Sequence, residues 1–242
     1  MIIDGKAIAE RVLASIGNAL HGKTLGVVAT EGDAATESFI RIKTRVAERL
    51  GVTVKRFPSE EILEAFACDG VIIQMPIPNA ETLIATLPPE KDVDGLKNPA
   101  VLPPVAGAVA EILALASVAP AGKRTVVVGQ GRLVGQPVAA LMRERGAVVS
   151  VITDGESLEP LREADIVVLG AGSPGLVKPN MLKEGAVLID AGTSEAGGKV
   201  AGDADPMCAA KCSVFTPVPG GVGPVAVAMI FKNLSALLAA RE

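Results

Sequence analysis

The feature that most constrains this chain is the segment RTVVVGQGRLVGQPVAALMRERG, which runs from Arg124 to Gly146. After Arg124 come four β-branched residues, Thr125 to Val128, three of them apolar, as in a central strand of a parallel sheet. Gly129 and Gly131 remove side chains from the turn that follows, and Gln136-Pro137 suits the first turn of a helix. A helix N-terminus behind a glycine turn favours an anion. The segment therefore predicts a strand, a turn and a helix that together hold the pyrophosphate of a dinucleotide.

The glycine spacing of this turn is compatible with a dinucleotide site and also with a purely structural turn. G-x-G-x-x-x-G is one residue longer than the usual dinucleotide fingerprint, and a plain tight turn between strand and helix also fits it. A second strand, Val148–Thr153, ends at Asp154, where an acidic residue usually meets the adenosine ribose. Asp154 favours NAD, because a carboxylate accepts from a ribose 2′-OH and repels a 2′-phosphate. Arg132, the nearest cation in the turn, could offset that repulsion by pairing with the phosphate.

Composition excludes several classes of function. The chain has 242 residues, enough for two modest domains, and carries a net charge of −4 with no Trp or Tyr. A nucleic-acid partner is therefore not expected, because neither a basic surface nor stacking rings are available. The three cysteines form no disulfide framework, and Cys208-x3-Cys212 lacks the further ligands of a zinc site, so no metal is predicted.

Hydropathy along the chain predicts a soluble, cytoplasmic protein. The N-terminal stretch MIIDGKAIAE has no apolar core of a cleaved signal. The long uncharged tract from Cys212 to Phe231 is interrupted by prolines and glycines, so no membrane helix is expected there.

Alternating strand and helix patterns predict an α/β protein with two α/β/α domains, the second built on a doubly wound Rossmann-type sheet. The apolar helix Val105–Val118 is expected to join the two domains. The expected strands are Leu25–Ala29, Val52–Phe57 and Gly70–Met75 in the first half, then Arg124–Val128, Val148–Thr153, Asp165–Leu169, Ala186–Asp190 and Ser213–Thr216.

Three polar side chains interrupt the apolar pattern of the first half. Lys43 lies in the apolar stripe of a helix predicted over Thr36–Leu50 and capped by Thr36; a snorkelling lysine and a functional amine both fit. Gln74 ends an apolar strand, where a ligand contact and a capping glutamine both fit. Asp94 lies in the loop PPEKDVDGL, whose acids also suit ordinary solvated turns.

Eight segments occur in order through nearly the whole chain: IIDGKAIA, FIRIKTRVAERLG, QMPIP, PPEKDVDG, VVVGQGRLVGQP, GAGSPGLVKPNMLKEGAVLIDAGT, GDAD and TPVPGGVGP. Together they resemble the bifunctional methylenetetrahydrofolate dehydrogenase/cyclohydrolase family. The resemblance implies that the chain oxidises 5,10-methylenetetrahydrofolate by hydride transfer to NADP, with NAD possible because of Asp154. It also implies that water then opens the methenyl product to 10-formyltetrahydrofolate, and that the enzyme is a homodimer.

The same resemblance assigns domains and residues. Residues 1–115 with 225–242 would bind the folate, and residues 116–224 the nicotinamide cofactor. Lys43 would be the general base, Gln74 would orient its amine, and Asp94 would accept from the pterin ring. The remaining implied residues are Phe39, Pro219, Gly220 and Gly221 for the substrate, and Gly129, Gln130, Gly131, Arg132, Asp154 and Thr193 for the cofactor.

Departures from the family pattern keep other functions open. Phe39 stands where the family has a tyrosine, four residues before the lysine, which leaves a dehydrogenase with weakened cyclohydrolase activity as an alternative. Gln130-Gly131 replaces the usual Arg or Ala followed by Ser. A two-domain dehydrogenase of the shikimate dehydrogenase type and a nucleotide-binding protein without turnover are further alternatives. QMPIP and PVPGGVGP argue against the first of these, and the retained Lys43, Gln74 and Asp94 against the second.

Overall fold

The computed structural model describes residues 1–30, 32, 34–196 and 199–241 of the chain. Contacts between Cα atoms group the chain into two compact units. The three-stranded unit comprises Glu10–Pro104 and the chain from Val227 on, and the five-stranded unit comprises Met1–Ala9 and Val105–Ala226. The two sheets confirm the predicted α/β class.

The three-stranded unit contains a parallel sheet in the order β2-β1-β3. Its elements, with α1 shared between the units, are α1 Gly5–Ile16, β1 Thr24–Val28, α2 Ala34–Arg49, β2 Thr53–Phe57, α3 Ile62–Ala65, β3 Gly70–Ile73 and α4 Ala80–Thr86. Apolar side chains of β1, β3, α3 and α4 form its core, including Val28, Val71, Ile73, Ile62 and Leu83. Parallel strands bury both faces, and every residue of β3 is buried accordingly.

Thr36 is not the N-cap of α2, which corrects the sequence-based prediction. The helical backbone begins at Ala34, so Thr36 lies inside the first turn and is 1 % exposed. Alanine has the highest helix propensity, and the AAT sequence lets the helix start two residues earlier. The other end agrees with the prediction, because Gly51 follows the helix with a φ of 68°.

The five-stranded unit contains an all-parallel sheet in the order β10-β7-β6-β4-β5. Its elements are α5 Pro104–Leu115, β4 Arg124–Val128, α6 Gly135–Glu144, β5 Val148–Ile152, β6 Ile166–Leu169, β7 Val187–Asp190, β8 Ser194–Ala196, β9 Lys199–Ala201, β10 Val214–Phe215 and α7 Val222–Ala239, of which α5 and α7 extend into the other unit. Strand order reverses beside β4, so a topological switch point lies between the carboxyl ends of β4 and β6. The predicted doubly wound sheet is thereby confirmed.

Two features of this unit were not predicted. The short antiparallel pair β8–β9 follows β7, and 3₁₀ turns occur at Glu159–Glu163, Pro179–Met181 and Pro206–Ala210. Each of these turns carries a proline at its first or second position, where a missing N–H is tolerated.

The C-terminal helix α7 begins at Val222. Pro224 therefore lies in the first helical turn, where it does not break the helix. In the part of the chain that the structure describes, α7 is the one helix that length and composition would allow to cross a membrane, and half of that window is buried inside the protein. Burial of this extent is what a core helix also shows.

Candidate functional site

Lys43 and Gln74 form a direct hydrogen bond within the three-stranded unit. The Lys43 ammonium, on the middle of α2, donates to Oε1 of Gln74, which directly follows β3. The orientation of the amide is fixed because Nε2 of Gln74 donates to the carbonyl of Met75 at 2.9 Å. The backbone N–H of Gln74 donates to the carbonyl of Val28 at 2.8 Å, so the glutamine continues the sheet. One lysine N–H is thus pinned at the carboxyl edge of the sheet.

A loop built around Asp92 places Asp94 near this pair. Asp92 is fully buried, and its carboxylate accepts from the backbone N–H groups of Leu96, Lys97 and Asn98 at 3.1, 2.9 and 3.1 Å. Val71 of β3 forms an isolated parallel bridge with Asp92. Because parallel segments run in the same direction, Asp94 continues toward the carboxyl end of β3, where Gln74 lies. Asp92 is therefore neither a solvated turn residue nor available to bind a ligand. Its carboxylate holds the backbone of the loop together.

The pKa values of Lys43 and Asp94 are shifted by burial and by the charge of the other residue. Desolvation lowers the pKa of the Lys43 amine, and the nearby Asp94 carboxylate partly opposes this by favouring the ammonium. Desolvation also raises the pKa of Asp94 from 3.8 to about 6, with Lys43 opposing and Asp92 adding to the shift. A neighbouring amine and carboxyl whose pKa values are both shifted are typical of functional sites.

Phe39 lies one helical turn before Lys43 on α2 and is 43 % exposed. Residues four apart on a helix share a face, so Phe39 lies on the same face of α2 as Lys43. A phenyl ring brings no hydroxyl to the amine. Among the described residues, Gln74 is the one side chain that forms a hydrogen bond with Lys43. Phe39 therefore offers an apolar surface suited to a flat ring of a substrate.

The first glycine turn connects β4 to α6 as predicted. Gly129 has a φ of 99°, and a Cβ there would lie 2.4 Å from the carbonyl oxygen of Gly170. Gly135 matters equally, because its Cβ would lie 2.0 Å from the carbonyl oxygen of Gly129. A Cβ on Gly131 would meet nothing within 4 Å, so this glycine is not required by packing. The sequence prediction assigned Gly131 to the cofactor site and left out Gly135, the last glycine of the same motif, although the third glycine of such fingerprints serves close helix packing.

The start of α6 offers an anion site of the expected kind. Val134 at the N-cap gives the helix no side-chain cap, and Gln130 and Gly131 are exposed. Free N–H groups at a helix N-terminus suit a phosphate group. The N–H of Gln136 already donates to the carbonyl of Gly131 at 3.1 Å and Pro137 has no N–H, so those of Val134 and Gly135 are the candidates here. The residues present therefore fit a dinucleotide pyrophosphate.

The other predicted cofactor residues lie at the same edge of the five-stranded sheet. Asp154 is exposed two residues after β5, whose register pairs Ile152 with Val128 of β4, so it is adjacent to the first glycine turn. Arg132 is partly buried in that turn. Thr193 is exposed just after β7. All three lie beyond the carboxyl ends of parallel strands, where such sheets bind ligands.

The loop Pro219–Gly221 precedes α7 and packs against the N-terminal segment of the chain. The N–H of Gly5 donates to the carbonyl of Gly220 at 2.9 Å. A Cβ on Gly5 would lie 1.8 Å from the carbonyl oxygen of Gly221, so only glycine permits this approach. Gly220 itself has a φ of 108°. Close packing thus brings the segments IIDGKAIA and TPVPGGVGP into contact.

Comparison with known proteins places this geometry in a family. Residues 103–242 match the model of the tetrahydrofolate dehydrogenase/cyclohydrolase NAD(P)-binding domain. The chain is 34 % identical to the bifunctional protein FolD of Halothermothrix orenii, with 96 % of this chain and 95 % of that protein covered.

Solved structures give the same result. The methylenetetrahydrofolate dehydrogenase-cyclohydrolase (FolD) of Trypanosoma brucei, complexed with NADP cofactor and inhibitor, is 30 % identical, with a TM-score of 0.92 over 100 % of this chain and 98 % of that one. Shikimate 5-dehydrogenase of Thermus thermophilus, covering 90 % of this chain and 98 % of its own, shares only the fold at 17 % identity and a TM-score of 0.58. The chain therefore belongs to the tetrahydrofolate dehydrogenase/cyclohydrolase family.

Proposed function

We propose that the Lys43, Gln74 and Asp94 cluster is the catalytic site at which this protein converts folate one-carbon units. The protein is an NADP-dependent 5,10-methylenetetrahydrofolate dehydrogenase and 5,10-methenyltetrahydrofolate cyclohydrolase. The observation that carries the site assignment is the desolvated Lys43 amine, held by Gln74 and facing the charge of Asp94.

NADP, when bound, supplies the acceptor for the hydride that leaves the bridging methylene carbon of the folate. The uncapped start of α6 and the exposed Gly131 would receive its pyrophosphate, and Thr193 lies at the same edge of the sheet. Asp154 and Arg132 would lie at its adenosine end. This part of the proposal rests on the position of these residues at the carboxyl ends of β4, β5 and β7.

Lys43 acts as the general base of the hydrolytic step. Its lowered pKa increases the fraction of neutral amine, and a cationic methenyl group nearby lowers the pKa further. Gln74 accepts one N–H of the amine, so the lone pair of the neutral form points away from the amide and toward a water molecule. The amine takes a proton as the water oxygen bonds to the methenyl carbon. The bond between that carbon and N5 then breaks, N5 receives the proton, and the formyl group stays on N10.

Asp94 holds the pterin ring. A carboxylate has two acceptor oxygens and suits a pair of adjacent N–H donors. Among the described residues no hydrogen-bond donor to the Asp94 side chain is found, whereas the Asp92 carboxylate is fully engaged. Asp94 is thus the acid that remains available to a ligand, with Phe39 and the loop Pro219–Gly221 as further substrate contacts.

One assay tests the proposed function directly. Methylenetetrahydrofolate is mixed with the protein and either cofactor, and absorbance is followed at the bands of reduced nicotinamide and of methenyl-folate. Both activities require that the first band rises while the second rises only transiently. A rise of both bands to a stable plateau indicates a dehydrogenase without hydrolysis, and no change at either band contradicts the proposal.

Discrimination between NADP and NAD is expected to be weak and to depend on two opposed charges. Asp154→Ser is expected to shift the ratio of kcat/KM toward NADP by about tenfold, and Arg132→Ala toward NAD by about tenfold, since one exposed charge contact changes by roughly 1.4 kcal/mol. Steady-state kinetics with both cofactors measure the two ratios. If neither ratio moves, the 2′ position is read by other residues.

The protein is expected to be a homodimer. Nearly half of its residues are hydrophobic, and Val148, on the edge strand β5, is 65 % exposed. An edge strand with an exposed apolar side chain is a surface onto which a second copy of the chain can pack. Light scattering at micromolar concentration is expected to give twice the mass of the 24.6 kDa chain. A mass of one chain at that concentration would rule out the dimer.

Residues 1–115 with 225–242 serve as the folate-binding catalytic domain in this proposal, and residues 116–224 as the cofactor domain. The cytoplasm is the proposed location. Family membership supports it.

A further inference from the structure

Two buried carboxylates connect the loops that follow β6 and β7 in the five-stranded unit. Asp203 is fully buried, and Asp190 is 2 % exposed. Neither acid belongs to the catalytic or binding residues named above. Buried acids require partners, so the identity of their partners indicates what these residues do.

Asp203 fills a backbone nest. Its two carboxylate oxygens accept from the successive N–H groups of Ala171, Gly172 and Ser173 at 2.7, 3.1 and 2.7 Å. Successive N–H groups that converge on one point form an anion-binding concavity, and here the anion is part of the chain. The segment GAGSPG has the composition of a phosphate-binding turn, yet Asp203 already occupies these three donors. Pyrophosphate binding is therefore left to the first glycine turn.

Asp190 extends the same network to the loop after β7. Its carboxylate accepts from the N–H groups of Gly192 and Ala204 at 2.9 and 2.8 Å. Glycines leave the space that the acids need: a Cβ on Gly192 would lie 2.4 Å from the Asp203 carboxylate oxygens, and one on Gly202 2.2 Å from Oδ2 of Asp190. The loops after β6 and β7 and the segment 202–204 are thus held in one arrangement.

The loop after β6 touches the first glycine turn. A Cβ on Gly129 would lie 2.4 Å from the carbonyl oxygen of Gly170, one residue before the nest. The two loops flank the switch point between β4 and β6, where a dinucleotide binds in such sheets. The position of residues 171–173 therefore sets one wall of the cofactor crevice.

We propose that Asp203 is a positioning residue for the nicotinamide cofactor, which holds the loop after β6 in the conformation that accepts NADP. The proposal rests on the proposed function, since it assumes that the five-stranded unit binds this cofactor. Asp203 does not touch the cofactor in this proposal; it acts through the three N–H groups that it fixes.

The test is Asp203→Asn in the full-length protein. The amide has the shape of the carboxylate but turns an NH₂ group toward backbone donors, so at least one of the three N–H groups loses its acceptor. We expect the KM and the Kd for NADP to rise by about tenfold or more, as the loss of one charge-assisted hydrogen bond would give. Hydrolysis of isolated methenyl-folate, which needs no cofactor, is expected to keep its wild-type rate.

Asp205→Asn is the matched control. Asp205 lies two residues away, accepts from the N–H of Met207 at 2.9 Å and pairs with Lys178 at 3.1 Å, but makes no bond to residues 171–173. Its NADP affinity is expected to stay within about twofold of wild type. An equal loss of NADP affinity in both variants would overturn the proposal, because it would indicate a general loosening of the segment.

Unchanged NADP affinity of Asp203→Asn, or a parallel loss of hydrolysis, would also overturn the proposal. If this variant does not fold, Gly192→Ala takes its place, because the added methyl group displaces the Asp203 carboxylate without removing its charge. Calorimetry of NADP binding in the absence of folate measures directly whether residues 171–173 still accept the cofactor. A wild-type protein that binds NADP but turns over no folate would contradict the proposed function and leave this test intact.

Discussion

Lys43→Met is expected to reduce hydrolysis of methenyl-tetrahydrofolate by at least about a hundredfold, because a positioned general base contributes roughly that much or more. The fold is expected to survive, since methionine keeps the unbranched stem of lysine within the apolar stripe of α2. Burial already disfavours the ammonium, as the lowered pKa shows, so removing the charge costs little stability. Decay of the methenyl band at saturating substrate measures the rate, and thermal unfolding measures the stability.

Lys97→Met provides the control for this variant. The Lys97 amine is exposed and donates to the carbonyl of Ala85 at 2.9 Å, away from Gln74. Hydrolysis is expected to be unaffected by its loss. Wild-type hydrolysis in Lys43→Met would show that another group takes the proton. In the wild type, hydrolysis is expected to rise with pH through the pKa of Lys43, in a range below that of an ordinary lysine, because the neutral amine is the active form.

Local patterns predicted the parts of the fold that depend on neighbouring residues. The strand Arg124–Val128 was predicted to the residue, because its β-branched run ends directly at Gly129, whose φ of 99° favours glycine. The start of α2 was wrong, since Thr36 carries a strong cap signal that the favourable alanines before it override. Lys43 could be identified because its charge contradicts the helical stripe around it.

Features of the site that depend on contacts between distant parts of the chain could not be predicted from the sequence. Asp94 is held near Lys43 because Asp92 bridges to Val71 across the chain, and no local pattern encodes that bridge. The two acids of KDVDG look alike in sequence, yet one is saturated by backbone donors and the other is not. Asp203 was equally hidden, because its three donors lie about thirty residues earlier in the chain.

The ionised carboxylate of Asp94 is expected to lower the stability of the fold while it binds the substrate. Burial raises its pKa from 3.8 to about 6, so the folded protein holds this proton more tightly than the unfolded chain does. Stability contributed by the protonated form is therefore present below pH 3.8 and is lost as pH rises to about 6. Above that pH the ionised carboxylate destabilises the fold by up to about 3 kcal/mol.

Asp94→Asn tests this trade-off. At pH 7.5 the variant is expected to be more stable than wild type, and the difference is expected to vanish as pH falls below the ordinary aspartate pKa, where both side chains are neutral. Folate affinity is expected to fall by about a hundredfold, because an amide cannot accept from two adjacent donors and leaves one unpaired. NADP affinity is expected to be unchanged. Calorimetry with each ligand and thermal unfolding across pH provide these measurements.

Asp92→Asn is the matched control, and its expected effect has the opposite sign. The Asp92 carboxylate satisfies three backbone donors, so the amide leaves at least one of them unpaired and lowers stability by roughly 1–3 kcal/mol at pH 7.5. A stabilised Asp94→Asn beside a destabilised Asp92→Asn separates the acid that holds substrate from the acid that holds the loop. If Asp94→Asn is instead destabilised and binds folate and NADP as wild type does, Asp94 is a structural residue and the pterin contact lies elsewhere.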